Sequence, residues 1–200
     1  MKVVCTSVLV ILLCLAGRGL AAPIEWKIAD GGNGHYYDRV EVSLSWSEAT
    51  TAAQTSWPGR TGHLMTITSQ AELDFLEANL SLGNDYWLGG YQDLNAADYS
   101  EPAGGWRWLT GEPFEITAWS TIAVGGNDNE PNNFTPDHFM SSELSQFNGN
   151  IILRVNDAPE VYQDNKGYYV EYSAIPEPSA WAHLAIGLIT ASVVLRQVRP

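Results

Sequence analysis

Along the middle of the chain the apolar positions change period several times, and each change marks an element. Between His35 and Val42 tyrosine and valine alternate with polar residues, which predicts a half-buried strand. From Ser45 to Gln54 the spacing becomes helical, with Trp46, Ala49 and Ala53 on one face. Gly62 to Thr68 reads as a short strand. Ser69 and Glu72 form a capping-box pair ahead of Leu73, Phe75, Leu76 and Leu80, predicting a second helix. Tyr86-Trp87-Leu88-Gly89-Gly90 is an apolar strand closed by glycines, Trp106-Arg107-Trp108 alternates, and Gly111-Glu112-Pro113 is a turn. From Ala118 to Asn150 Gly, Asn, Asp and Pro replace periodic apolar positions, so a long loop is expected there. Two strands, Ile151 to Val155 and Gly167 to Tyr172, close the pattern. No internal repeat or low-complexity tract divides residues 24–173, which are taken as one domain.

The two ends follow other rules. Met1-Lys2, an apolar run from Val3 to Ala16 and then Gly19-Leu20-Ala21 have the layout of a secretory signal, residues 1–21, cut after Ala21. At the far end, Pro176-Glu177-Pro178 precedes an uncharged stretch from Ser179 to Leu195, followed by Arg196 and Arg199. That ordered triple over residues 174–200 resembles the PEP-CTERM sorting signal of Gram-negative bacteria. The resemblance implies transient insertion of residues 179–195 in the inner membrane, an exosortase partner, and release to the cell surface or extracellular matrix. A plain tail anchor is the alternative, and the stretch is at the lower edge of what spans a bilayer.

Composition narrows the function. The formal net charge is −13, and residues 22–175 carry six Lys/Arg against twenty-two Asp/Glu. Nucleic acid is excluded as a partner, since phosphate binding relies on Lys and Arg to release counterions. Acidity suits a surface that meets divalent cations and equally suits plain solubility. The only cysteines, Cys5 and Cys14, fall in the leading segment, so the body has no disulfide and no thiol chemistry. The four histidines lack metalloprotease spacing and no serine sits in a nucleophile elbow, so no enzyme is expected.

The order of the internal pieces resembles a C-type lectin-like domain from end to end. The pieces are Trp46 with its alanines, Gly62-His63-Leu64, the acidic helix, Tyr86-Trp87-Leu88-Gly89-Gly90, Trp106-Arg107-Trp108, Gly111-Glu112-Pro113, Trp119, Glu130-Pro131-Asn132-Asn133, Asn156-Asp157 and Gly167-Tyr168-Tyr169-Val170-Glu171. The resemblance implies an α+β fold: two helices flanking small antiparallel sheets, with a long calcium-binding loop region from about Asp93 to Asn150. The chain departs from the family in lacking its two disulfides. Phe139 stands about where one cysteine is expected. Losing such a crosslink costs ~2–5 kcal/mol, so calcium or buried tryptophans are expected to hold the loop. Trp87, Trp106, Trp108 and Trp119 are read as core rather than sugar platforms.

By the same resemblance, Glu130, Asn132, Asp137, Asn156 and Asp157 are the calcium ligands, drawn from two loop segments. They offer the carboxylate and amide oxygens that this hard cation collects. A cis bond before Pro131, as in the family, would point the side chains of Glu130 and Asn132 the same way. Two vicinal sugar hydroxyls would then join the metal, hydrogen-bonded by Glu130, Asn132, Asp137 and Asn156. Glu-Pro-Asn is associated in the family with mannose-type sugars. Val155 replaces the usual tryptophan before Asn156, and Asp137 replaces a glutamate with one residue less spacing. Outside that context, Glu-Pro-Asn is also an ordinary turn. Asp93 or Glu101 could serve a second calcium site, or simply be solvated. His63 reads as structural and His138 as a solvated loop residue. The expected function is exported, calcium-dependent binding of a mannose-type glycan or exopolysaccharide. A non-sugar protein-binding or adhesion module is the alternative, because a fold does not fix a function.

Overall fold

The computed structural model describes residues 22–54, 57, 60–115, 119, 130–147 and 149–173. The signal and sorting segments, residues 1–21 and 174–200, lie outside the described residues, as do 116–118 and 120–129 of the long loop.

Eight strands form one sheet: β1 (Ile24–Glu25), β2 (Tyr36–Val40), β3 (Gly62–Leu64), β4 (Tyr86–Gln92), β5 (Trp106–Trp108), β6 (Phe139–Phe147), β7 (Asn150–Ala158) and β8 (Gly167–Tyr172). The order is β1-β2-β8-β4-β6-β7, with β3 on β8 and β5 on β4. The architecture is α+β, as expected, but the sheet is mixed: β4 runs parallel to β8 while the other paired strands are antiparallel.

Helix α1 (Trp46–Ala53) begins with a complete capping box, in which Ser45 accepts from the Glu48 N–H and Glu48 accepts from the Ser45 N–H. Its small residues Ala49 and Ala53 are fully buried against Leu64, Trp87, Val170 and Tyr172 on one face of the sheet. Helix α2 (Gln70–Asn79) covers the other face. Leu73 and Leu76 pack there with Tyr37, Ile67, Leu88, Trp106 and Trp108. The Ser69 hydroxyl caps α2 by accepting from the Glu72 N–H at 3.1 Å. The Glu72 carboxylate, however, does not close the expected box: it takes the Thr68 N–H at 2.7 Å and the Tyr37 hydroxyl at 2.6 Å.

With a helix on each face, β4 and β8 are covered on both sides and read as near-continuous apolar runs. Trp87 enters one core and its neighbours Tyr86 and Leu88 the other; Tyr168 and Tyr169 divide likewise.

Three expectations need correction. The loop expected over 118–150 contains the nine-residue strand β6, which pairs with β7 along its length from Phe139↔Ala158 to Phe147↔Asn150. The polar runs Ser141-Ser142-Glu143 and Ser145-Gln146 break the apolar alternation and hid the strand, though their backbone pairs as well as that of any other residue. Strand β7 runs on to Ala158, so Asn156 and Asp157 sit in a ladder rather than a loop. The strand expected over 62–68 ends at Leu64; Met65 and Ile67 remain buried, with the Met65 N–H donated to the Tyr169 carbonyl. The sequence pattern gave no sign of β1 or of a short 3-10 turn at Ile28–Asp30.

Candidate functional site

The segment after Glu130 folds back on itself through its own side chains. The Glu130–Pro131 bond is cis, as the resemblance implied. Asn132 Nδ2 donates to Glu130 Oε1 at 2.9 Å, and Asn132 Oδ1 accepts the Phe134 N–H at 2.8 Å. Asn133 Oδ1 in turn accepts the Asp137 N–H at 3.1 Å, and Asp137, 6% exposed, accepts from the backbone N–H and hydroxyl of Thr135. These Asx-type contacts fix a tight loop without regular structure.

Strand β7 meets this loop from below. Successive strand side chains point to opposite faces, so Asn156 and Asp157 part company. Asp157 is buried, and its two oxygens accept the N–H groups of Asn132 at 3.1 Å and Asn133 at 2.8 Å. Asn156 stands opposite Ser141 of β6 and lines a cleft of about 210 Å3 together with Glu130. Asn84, Asp85, Ser142, Glu143 and Tyr162 complete the walls. Asp85 is held by Lys166 Nζ at 2.7 Å and by the Tyr162 hydroxyl at 3.2 Å. Burial, followed by the Asp85 charge, pushes the Tyr162 phenol pKa up and keeps it a donor.

All five anticipated ligands therefore belong to one loop and the strand beneath it. Glu130 and Asn156 share the cleft, Glu130 and Asn132 are bonded to each other, and Asp137 and Asp157 hold the loop backbone. Among the described residues no three His, Cys, Asp or Glu side chains gather as a metal-binding group.

The other anticipated residues have structural partners. Asp93 accepts the Asn95 N–H and Glu101 accepts the Tyr99 hydroxyl. The His63 ring lies 2.9 Å from the Leu64 carbonyl, and that of His138 lies 2.8 Å from Gln92 Oε1. Trp87, Trp106 and Trp108 are buried, while Trp119 is half-buried, edge-on to Trp106 and bridged to Val155. Sequence reasoning passed over Phe134, which is 89% exposed beside Asn132. An aromatic residue set between Asn133 and Thr135 in a polar run was the available signal.

The chain belongs to the C-type lectin domain family: the model for the Lectin C-type domain matches residues 42–146. That span holds Glu130, Asn132 and Asp137 and stops short of Asn156. Among known relatives, lectin BRA-3 of Megabalanus rosa is 31% identical over 130 residues, 64% of this chain and 68% of the lectin. Halomucin of Haloquadratum walsbyi is 29% identical over 155 residues, 74% of this chain but only 2% of halomucin's length. Among solved structures, the C-type lectin CEL-I from Cucumaria echinata superposes with a TM-score of 0.50 at 19% identity, covering 72% of this chain and 93% of CEL-I. Membership gives a lectin-type binding role as the coarse function.

Proposed function

We propose that this is an exported lectin that binds a mannose-type glycan or exopolysaccharide through calcium, at the cleft between the Glu130–Asp137 loop and β7. The observation that carries the reading is the meeting of Glu130 and Asn156, 26 positions apart in sequence, in one cleft sized for a single ligand group. The donor chemistry fits calcium, since all five side chains offer hard oxygens from carboxylates or amides. Glu130, Asn132, Asp137, Asn156 and Asp157 would hold the ion. When bound, it would supply a positive centre to which two neighbouring sugar hydroxyls coordinate. The chain's own part is to orient that sugar: carboxylate oxygens of Glu130 and Asp137 accept hydroxyl protons, and the amides of Asn132 and Asn156 donate back to the same oxygens. Glu-Pro-Asn supports a mannose-type preference through the family association of that triplet.

Thermal melts with calcium, with EDTA, and with mannose-type glycan test the reading. An ion that binds only the folded state raises the melting temperature by mass action, and glycan binding should vanish in EDTA. Asn132→Ala should abolish glycan binding while the fold, followed by circular dichroism, persists. A melt indifferent to calcium together with glycan binding that survives chelation would overturn it.

One observation favours a second reading, a protein-binding or adhesion module. Asp137 and Asp157 already spend their carboxylates on loop N–H groups, as they would in a site kept for structure. Failure to bind any glycan on an array, with and without chelator, would favour that module.

Export and sorting are proposed from the end segments: residues 1–21 as a cleaved signal, 24–173 as the lectin domain and 174–200 as an exosortase substrate held briefly in the inner membrane. Fractionating cells that express the chain with and without residues 174–200 tests this. Loss of the membrane-held precursor on truncation is expected.

A further inference from the structure

A second group of buried polar residues lies away from the cleft. Glu171 of β8 is 3% exposed, yet it accepts from Thr66 N–H and Thr66 hydroxyl, both at 3.1 Å, and approaches His35 Nδ1 at 2.6 Å. His35 closes the turn between β1 and β2: its carbonyl takes the Trp26 N–H at 2.9 Å, and its own N–H reaches Asn33 Oδ1 at 2.8 Å. Trp26 lies stacked on Phe75 of α2, ring centroids 5.6 Å apart. The segment from Ile24 to His35 is thus an arm across the α2 face of the sheet, with only the two pairs of β1 as a ladder.

The groups that face His35 are mostly acidic. Glu171 comes from β8, Glu72 from α2 and Glu112 from the turn after β5; Tyr37 is bonded to Glu72, and His63 stands 4.0 Å from Glu171. Thr66 has one hydroxyl proton and two carboxylates in reach, Glu171 at 3.1 Å and Glu112 at 3.0 Å; Glu112 also takes the Thr110 hydroxyl at 2.7 Å, so Glu171 is the one left to depend on His35. A proton on His35 supplies the missing positive charge. We propose that His35 and Glu171 form a proton-operated latch that fastens the N-terminal arm, closed while His35 is protonated and slack once that proton leaves.

The sign follows from the pair. The hydrogen bond to Glu171 raises the His35 pKa above its ordinary 6.5 in spite of partial burial. A raised folded-state value means the stabilisation is complete below the ordinary value and is lost as pH rises through the folded one. Neutral histidine still donates one hydrogen bond, so the arm loosens without the domain unfolding.

The test follows the His35 ring by NMR titration, with amide exchange at Trp26 and Gly34 compared near pH 6 and pH 8.5 after correction for intrinsic rate. A titration midpoint above the ordinary value is expected, with arm exchange faster at the higher pH. His35→Gln should exchange at the faster rate at both pH values, and Glu171→Gln should return the His35 midpoint toward normal. Arm exchange in His35→Gln that still depends on pH as in the parent would overturn the latch. So would a parent midpoint at or below the ordinary value, a result that holds even where a variant fails to fold.

Discussion

Asp157 is 4% exposed and accepts from two consecutive backbone N–H groups. Replacing it with alanine would take the acceptor from both N–H groups of this part-buried loop, at about 0.5–1.5 kcal/mol for each lost bond. Asp157→Ala should therefore melt at a lower temperature than the parent even in EDTA, where loss of calcium binding cannot contribute. Equal melts in EDTA would show that the carboxylate serves only the ion. Phe134 gives the opposite expectation. At 89% exposed it contributes no burial to the fold, but a bare ring next to Asn132 offers a flat apolar surface to the carbon face of a sugar. Phe134→Ala should leave the melt unchanged and weaken glycan binding by about 0.5–1.5 kcal/mol, read by titration calorimetry.

Local patterns were legible in the sequence wherever a single element carried them. The helical spacing of Trp46, Ala49 and Ala53 and the glycine-closed run at Tyr86–Gly90 appear where expected, because burial of one face dictates the first and burial of both faces the second. The contiguous triplet Glu130-Pro131-Asn132 could also be read, including its cis bond. Long-range pairing could not. That Asp157 turns under the loop while Asn156 lines the cleft depends on the β6–β7 register, and the meeting of His35 with Glu171 spans 136 positions. Strand β8 shows how tightly such pairing constrains an element. It is flanked by β2, β3 and β4, and at its first residue a Cβ on Gly167 would sit 1.9 Å from the Val40 carbonyl oxygen. Backbone there cannot yield as a side-chain tip could. Gly167→Ala should force β2 and β8 apart, lower the urea midpoint, and speed amide exchange along both strands; an unchanged midpoint would mean that the two backbones separate freely.

At the scale of the whole molecule, a lectin domain without crosslinks must hold together by packing. Phe139, at the position where a cysteine was expected, lies opposite Ala158 and packs its ring 4.8 Å from Trp46, so aromatic burial ties the end of the long loop to α1. The other face relies on the core that contains Tyr37, Leu73 and Leu76, and there the domain buries a carboxyl group, Glu72, at 1% exposed. Burial raises the Glu72 pKa, and the charge of Glu171 adds to this; donors from Tyr37 and Thr68 offset only part. Because the folded-state value is the higher one, the folded domain holds the Glu72 proton more tightly than the unfolded chain does. The contribution is complete below the ordinary carboxyl value of 4.5 and is lost as pH rises through the folded value. The parent should therefore give up stability from this group on the way from acid toward neutral pH. Glu72→Gln, which cannot ionise, should flatten that part of the curve at some cost in absolute stability, because an amide NH2 replaces one of the acceptors facing Thr68. Urea midpoints measured across that range for both proteins decide the matter, and parallel curves would mean that Glu72 keeps the same affinity for its proton folded and unfolded.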